Sequence, residues 1–410
     1  MPVAYDPRLP AEIADPFPSF ARLRLTDPVH RSDVLGGWVL TRYADCRAAL
    51  NDKRLSADRI TPFRDHLQPS ARERVADLLR LLGQWAAFTD PPVHSRLRGL
   101  MNKAFTPRAI ERLRPGIQAL VDRLIDPILG TSEIELIRDF AYPLPATVIA
   151  AMIGVPRADL DTFKRWSDDL AAFVGNSLAT PDKRDRAQAG AVEMTAYFRA
   201  LAGEHRRQPQ DDILSGLIAA TEDGDRLSED ELVATCVLLL FAGHETTTNL
   251  IGNGMLALLR HPDQWTRLAA DPSLIESAVE EMLRYDGPTM AMTRIALEDV
   301  CYGEHIIERG DRLYLMLNAA NRDPEIFPAP DRFDVGRVDN RHISFGYGIH
   351  YCLGAPLARL EATIGMSSLL ARLPGLSLAT DRPEWSDSLV LRGVKALPLR
   401  STPAPAMVAQ

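Results

Sequence analysis

Apolar residues recur every three or four positions along Arg108 to Leu129, Pro181 to Arg207, Ser228 to Arg260, Pro272 to Tyr285 and Ala355 to Leu373, and that period predicts helices. The third stretch opens on Ser228-Glu229-Asp230-Glu231, a serine with a glutamate three residues on, which is the pattern of a capping box. Within it, Cys236 to Gly243 is apolar all round, so the centre of this helix is expected to be buried. Pro356 stands near the start of the last stretch, where proline is tolerated. Strand patterns are short: Gly37 to Tyr43, Thr293 to Ile295, Arg312 to Leu317, Leu389 to Leu391 and Ala396 to Leu399. Asn321 to Phe333 is rich in proline and suits neither helix nor ladder strand, so it is expected to be a long ordered meander. Six prolines between Met1 and Pro28 predict an extended surface arm, and Ser401 to Gln410 reads as a frayed, flexible tail. The pattern predicts a mainly α (α+β) chain. One large domain over residues 29–400 carries many helices and small scattered β-sheets, with no βαβ alternation.

Composition narrows the classes. With 46% hydrophobic and 25% charged residues, the 410-residue chain is that of a soluble globular protein. A net charge of −8 argues against a nucleic-acid binder. Cys46, Cys236, Cys301 and Cys352 form no CxxC pair, which argues against structural zinc and against a disulfide framework, and fits a reducing cytoplasm. No run of ~18 apolar residues and no basic stretch leading an apolar one is present, so neither a membrane span nor export is expected.

One cysteine stands apart. Phe345-Gly346-Tyr347-Gly348-Ile349-His350-Tyr351-Cys352-Leu353-Gly354 places it in a glycine-studded loop directly before a helix. Glycines let the backbone pass close to a bulky flat partner, and the helix N-terminus is expected to lower the thiol pKa. A thiolate so placed suits either an axial ligand to iron or an activated nucleophile.

Phe345-x-x-Gly348-x-His350-x-Cys352-x-Gly354 resembles the haem-binding signature of the cytochrome P450 family, the haem-thiolate monooxygenases. Ala242-Gly243-His244-Glu245-Thr246-Thr247, Glu281-Met282-Leu283-Arg284 and the Asn321 meander follow the family's further motifs, so the resemblance spans essentially the whole chain. It implies haem b, non-covalently bound, with Cys352 as the axial thiolate. Phe345 would pack near the sulfur, and Gly348 and Gly354 would let the loop approach the haem. His94, Arg98, Arg294 and His350 would hold its carboxylates. Thr246 would hydrogen-bond dioxygen and Glu245 would supply protons. Leu238, Ala242 and Thr246 share one helical face, so Ala242 would keep the space above the haem open. Glu281 and Arg284 would lock to Arg332 of the meander and hold the cysteine loop.

The implied activity is insertion of one oxygen atom of dioxygen into a C–H or C=C bond, hydroxylating or epoxidising a medium-sized apolar small molecule. Electrons would come from a separate iron–sulfur ferredoxin served by a flavin reductase, with Lys103, Arg108, Arg112 and Arg359 as candidate docking cations. A haem peroxygenase and a non-catalytic haem-thiolate sensor are the alternatives. The Glu245–Thr246 pair argues against the first, and the second would need no proton relay. Trp85, Phe88, Phe173, Met290, Met292 and Leu391, with Leu238, are the candidate substrate-pocket residues. Arg59, Arg64 and Arg80 are the cations within reach of a substrate carboxylate, with hydration as their ordinary role.

Overall fold

A 32-residue helix, Glu229–Arg260, forms the spine of the protein in the computed structural model, which describes residues 5–175, 182–221 and 224–402. At 1.5 Å per residue it is about 48 Å long. The capping box forms: Glu231 N–H donates to Ser228 Oγ at 3.3 Å and Ser228 N–H to Glu231 Oε2 at 2.8 Å. The spine's first half, Leu232 to Phe241, is buried against Ala76–Leu82, Leu160–Val174 and Lys183–Arg207. Its second half is buried against Arg114–Ile125, Pro143–Ile153, Ile275–Asp286 and Ala355–Arg372. Two apolar cores thus share one helix, and the turn between them faces a cavity.

That turn remains helical through Gly243. Thr246 Oγ1 donates back to the Ala242 carbonyl at 3.0 Å. A Cβ at Gly243 would come within 2.7 Å of Ile149 Cγ1, so glycine here brings the Pro143–Ile153 helix close.

The sheets are small. β1 (Val29–Ser32), β2 (Gly37–Leu40) and β3 (Leu55–Ser56) precede β4 (Glu133–Glu135), and β5 (Ala291–Ala296), β6 (Val300–Tyr302), β7 (His305–Ile307) and β8 (Arg312–Met316) follow. β9 (Leu376–Leu378) and β10 (Pro398–Ser401) close the series. The largest sheet has the order β1-β2-β8-β5-β3, with β2 parallel to β8 (Trp38 opposite Leu313) and β5 antiparallel to β8 (Arg294 opposite Leu313). β4-β10-β9 and β6-β7 are separate.

Several expectations change. The Pro-rich arm is helical at Pro10–Ala14 and Phe17–Thr26, because Pro10 and Pro18 occupy first-turn positions where a missing N–H costs nothing. Arg108 to Leu129 divides into Pro107–Glu111 and Arg114–Ile125, since Pro115 has no N–H to continue the first helix. Tyr43 starts a helix instead of ending a strand. Leu389 to Leu391 forms only an isolated bridge, Thr289 to Leu391. Ser401 pairs in β10, and residues 403–410 of the expected tail, like Pro181, lie outside the described residues. Among the described residues no helix is long and apolar enough to cross a membrane.

Candidate active site

A cavity of about 330 Å³ lies between the spine and the loop ahead of the Ala355–Arg372 helix. Leu238, Ala242 and Thr246 line it from the spine, and Phe345, Cys352 and Gly354 from the loop. His94, Arg98, Arg294 and His350, with Arg59 farther along the wall, add five basic side chains, and no carboxylate lines it among the described residues.

The loop is folded tightly on itself. Gly346 (φ +74°) and Gly348 (φ +73°) are left-handed, a conformation L side chains rarely adopt. Cys352 N–H donates to the Phe345 carbonyl at 2.9 Å and Tyr351 N–H to the Gly348 carbonyl at 3.1 Å. A Cβ at Gly348 would sit 2.9 Å from Asn51 Oδ1, so this glycine serves the turn and its packing, and it does not line the cavity. Cys352 is exposed toward the cavity it lines. Burial within the protein raises its thiol pKa, with Gly354 N–H, Arg98, Ala355 N–H and Arg359 pulling the other way. The upward balance departs from the expected helix-end effect: desolvation outweighs it, and coordination to a metal is what would enforce a thiolate here.

The four bases crowd together, and Asp90, which does not line the cavity, is the acid that acts on His94 and Arg294. The rings of His94 and His350 are 4.2 Å apart between centroids. Burial, then His94, Arg294 and Arg98, push the His350 pKa down to about 3. Burial lowers Arg294 to about 10. Arg294 Nη2 and His94 Nδ1 are buried without hydrogen-bond partners. Orphaned buried donors cost about 1–3 kcal/mol each, and a ligand bearing carboxylates would satisfy them. The residues present therefore fit a haem: one sulfur for the iron and a basic wall for two propionates.

Beneath the loop, Glu281 and Arg284 are fully buried and paired twice, at 2.7 Å each. The predicted third member is wrong. Arg332 contributes only its backbone carbonyl, 3.1 Å from Arg284 Nη2, and its side chain is exposed. Arg337 takes the place, with Nε 3.0 Å from Glu281 Oε2. The turn at Ala329 (φ +47°) sends Phe333 into the core, which leaves Arg332 pointing out. Asp334 N–H and Asn340 Nδ2 also donate to Glu281, at 3.0 and 3.1 Å.

Residues 64–390 match the family model described as "Cytochrome P450". The chain belongs to the cytochrome P450 family. It is 44% identical over 393 residues to "Cytochrome P450 107B1" of Saccharopolyspora erythraea, covering 93% of this chain and 94% of that one. It is 43% identical to "Vitamin D(3) 25-hydroxylase" of Pseudonocardia autotrophica, with 95% and 94% covered. Among solved structures it resembles P450BioI in complex with hexadec-9Z-enoic acid ligated acyl carrier protein, with TM-score 0.90, 39% identity and coverage of 96% and 99%. These relatives make it a P450 monooxygenase of bacterial type, and the family's cofactor is haem.

Within this P450, the sequence-selected residues Leu238, Ala242, Thr246, His94, Arg98, Arg294, Phe345, His350, Cys352, Gly354 and Arg59 line the cavity. Phe88 and Met292 line it as well. Glu245 stands one residue off the lining, its Oε1 3.5 Å from Asn249 Nδ2. Three expected pocket residues do not line it, since their side chains fill the core. Trp85 stacks between Phe88 and Phe241, 5.5 Å from each, while Met290 and Leu391 pack into neighbouring clusters. Phe173 lines an adjoining cavity. Of the docking cations, Arg359 is held by both oxygens of Glu280, at 2.6 and 2.9 Å, and lies 4.5 Å over the Phe345 ring. Sequence reasoning missed Arg337 and the Glu280–Arg359 pair, because neither has a local signature.

Proposed function

We propose that this P450 is a haem-thiolate monooxygenase of a medium-sized apolar molecule, in which Cys352 would hold the iron of haem b. The observation that carries this reading is one cavity bounded by Cys352 on its loop side and Thr246 on its helix side, with five basic side chains and, among the described residues, no acid in its wall. When bound, haem supplies the activation of dioxygen. The chain's own groups do the rest. His94, Arg98, Arg294 and His350 would hold the haem carboxylates, and the loop glycines keep the sulfur in register. Thr246 can turn its hydroxyl from the Ala242 carbonyl toward the cavity and hold an oxygen and a water there. Glu245, behind it and loosely held, carries protons inward. Ala242 leaves room for substrate, and Leu238, Phe88 and Met292 give it apolar walls. Electrons come from a ferredoxin served by a flavin reductase, the donor pair that the family resemblance implies. Lys103, Arg108 and Arg112, all exposed, are left as docking cations. The free, buried thiols of Cys46 and Cys236 suit a reducing cytoplasm.

Thr246→Ala tests the assignment. With an identified substrate and a working electron donor, haem content and substrate affinity should be nearly unchanged. Product per electron pair should fall, with hydrogen peroxide in its place. Glu245→Gln should slow turnover by about 10²–10⁴-fold, the range of a lost general acid–base group. Full coupling in Thr246→Ala would remove this role.

A further inference from the structure

A second cavity of about 160 Å³ adjoins the first, and Arg59, Phe88, Thr293 and Val390 line both. Its wall carries Arg59, Lys183, Arg184 and Arg312, and no carboxylate among the described residues. Lys183 has Asp387 close by. The three arginines have no acidic partner among the described residues: Arg59 lies 4.2 Å over the Phe88 ring and Arg184 5.4 Å over Phe63. Among the exposed arginines nearby, Arg64 is paired with Asp65, Arg80 with Asp77 and Arg74 with Asp185, whereas Arg184, also exposed, has its cation over the Phe63 ring. Arg59 and Arg312 are partly buried, and burial, Arg312 and Arg294 together push the Arg59 pKa down to about 10. A guanidinium does not neutralise at working pH, so this repulsion persists until an anion enters. The rest of the wall is apolar, with Ile60, Phe63, Leu82 and Phe173.

We propose that this second cavity is the anion end of the substrate site, and that Arg59, Arg184 and Arg312 hold one carboxylate or phosphate of an amphiphile whose apolar body reaches into the cavity between Cys352 and Thr246. The proposal rests on the monooxygenase reading above and narrows its substrate class. A guanidinium fork offers paired N–H donors that match either anion. With the head fixed at Arg312, a carbon remote from it is the one presented beside Thr246.

Calorimetric titration of the haem-loaded protein with dodecanoic acid, dodecyl phosphate and methyl dodecanoate tests this. At least one anion should bind about ten-fold or more tightly than the ester, a difference of about 1.4 kcal/mol. Which anion it is tells a carboxylate substrate from a phosphate ester. Arg312→Gln and Arg184→Gln should each weaken that anion about ten-fold and leave the ester within about two-fold, whereas Arg312→Lys should keep most of the preference. Equal affinity for ester and anions, an unchanged anion affinity in Arg312→Gln, or no binding of any of the three would overturn the proposal. The carbon monoxide spectrum of the same reduced samples does not depend on Arg312, so it separates this failure from failure of the haem-thiolate reading.

Discussion

Beneath Cys352, the buried Glu281 carboxylate accepts from Arg284, Arg337, Asn340 and the Asp334 amide, and Arg284 spends its remaining N–H groups on the carbonyls of Asn321, Pro330 and Arg332. In the two adjoining cavities the pattern reverses: Arg294 Nη2 and His94 Nδ1 of the first have no hydrogen-bond partner, and Arg59, Arg184 and Arg312 of the second have no acid among the described residues. The first arrangement is complete without a ligand, and it fixes the position of a loop. The second is complete only when anions arrive. Where a protein leaves buried basic groups unpaired, the missing charge describes what binds there. One group on the loop side breaks the rule. Glu361 is buried with both oxygens unpartnered, and burial alone pushes its carboxyl well above the usual range.

The contrast can be broken most violently at Arg284. Replacing it with alanine leaves the Glu281 charge buried beside fewer donors, and the loss should be about 3–5 kcal/mol, seen as a failure to accumulate folded, haem-loaded protein. Arg332→Ala keeps its backbone carbonyl and should stay within about 0.5 kcal/mol of the parent in thermal or urea unfolding. Arg337→Ala should fall between them. If Arg332→Ala were as damaging as Arg284→Ala, the assignment of Arg337 as third partner would be wrong.

A smaller effect sharpens the comparison at Glu280. Burial works to raise its carboxyl, but hydrogen bonds from Arg359 and His342 outweigh it and bring the pKa down to about 2 from 4.5. A depressed carboxylate pKa stabilises the fold fully above the unfolded value and loses that contribution as pH falls toward the folded one. At neutral pH it should be worth about 2–3 kcal/mol for a group this little exposed. Glu280→Gln should therefore lower the unfolding midpoint at pH 7, and the gap to the parent should close between about pH 4.5 and 2. A gap independent of pH would mean that packing, not charge, holds Arg359 over Phe345.

The loop side was legible where its logic is local. Phe345 to Gly354 and Glu281 to Arg284 are short motifs whose residues lie within one turn or one helix, and Phe345, His350, Cys352 and Gly354 line the cavity as the resemblance implied, while Gly348 does not. Arg337 was not legible, because the direction of each meander side chain depends on the Ala329 turn and on Phe333 reaching a distant core. Trp85, Met290 and Leu391 failed for a related reason: an apolar residue near a site serves the core equally well, and only tertiary packing decides. Among the candidate arginines Arg59, Arg64 and Arg80, sequence offered no way to separate them. The structure separates them by their partners. The thiol of Cys352 was misjudged because the sequence shows the helix end and hides the burial.

The central claim, that this cavity is a haem-thiolate site with Cys352 as its ligand, is tested most directly by the spectrum of the reduced protein under carbon monoxide. The purified protein should show the strongly red-shifted Soret band of thiolate-bound iron. Cys352→His should abolish that band, while the same change at exposed Cys301 and alanine at buried Cys46 or Cys236 should leave it in the folded protein. A Cys352→His protein that keeps the thiolate band would contradict the account.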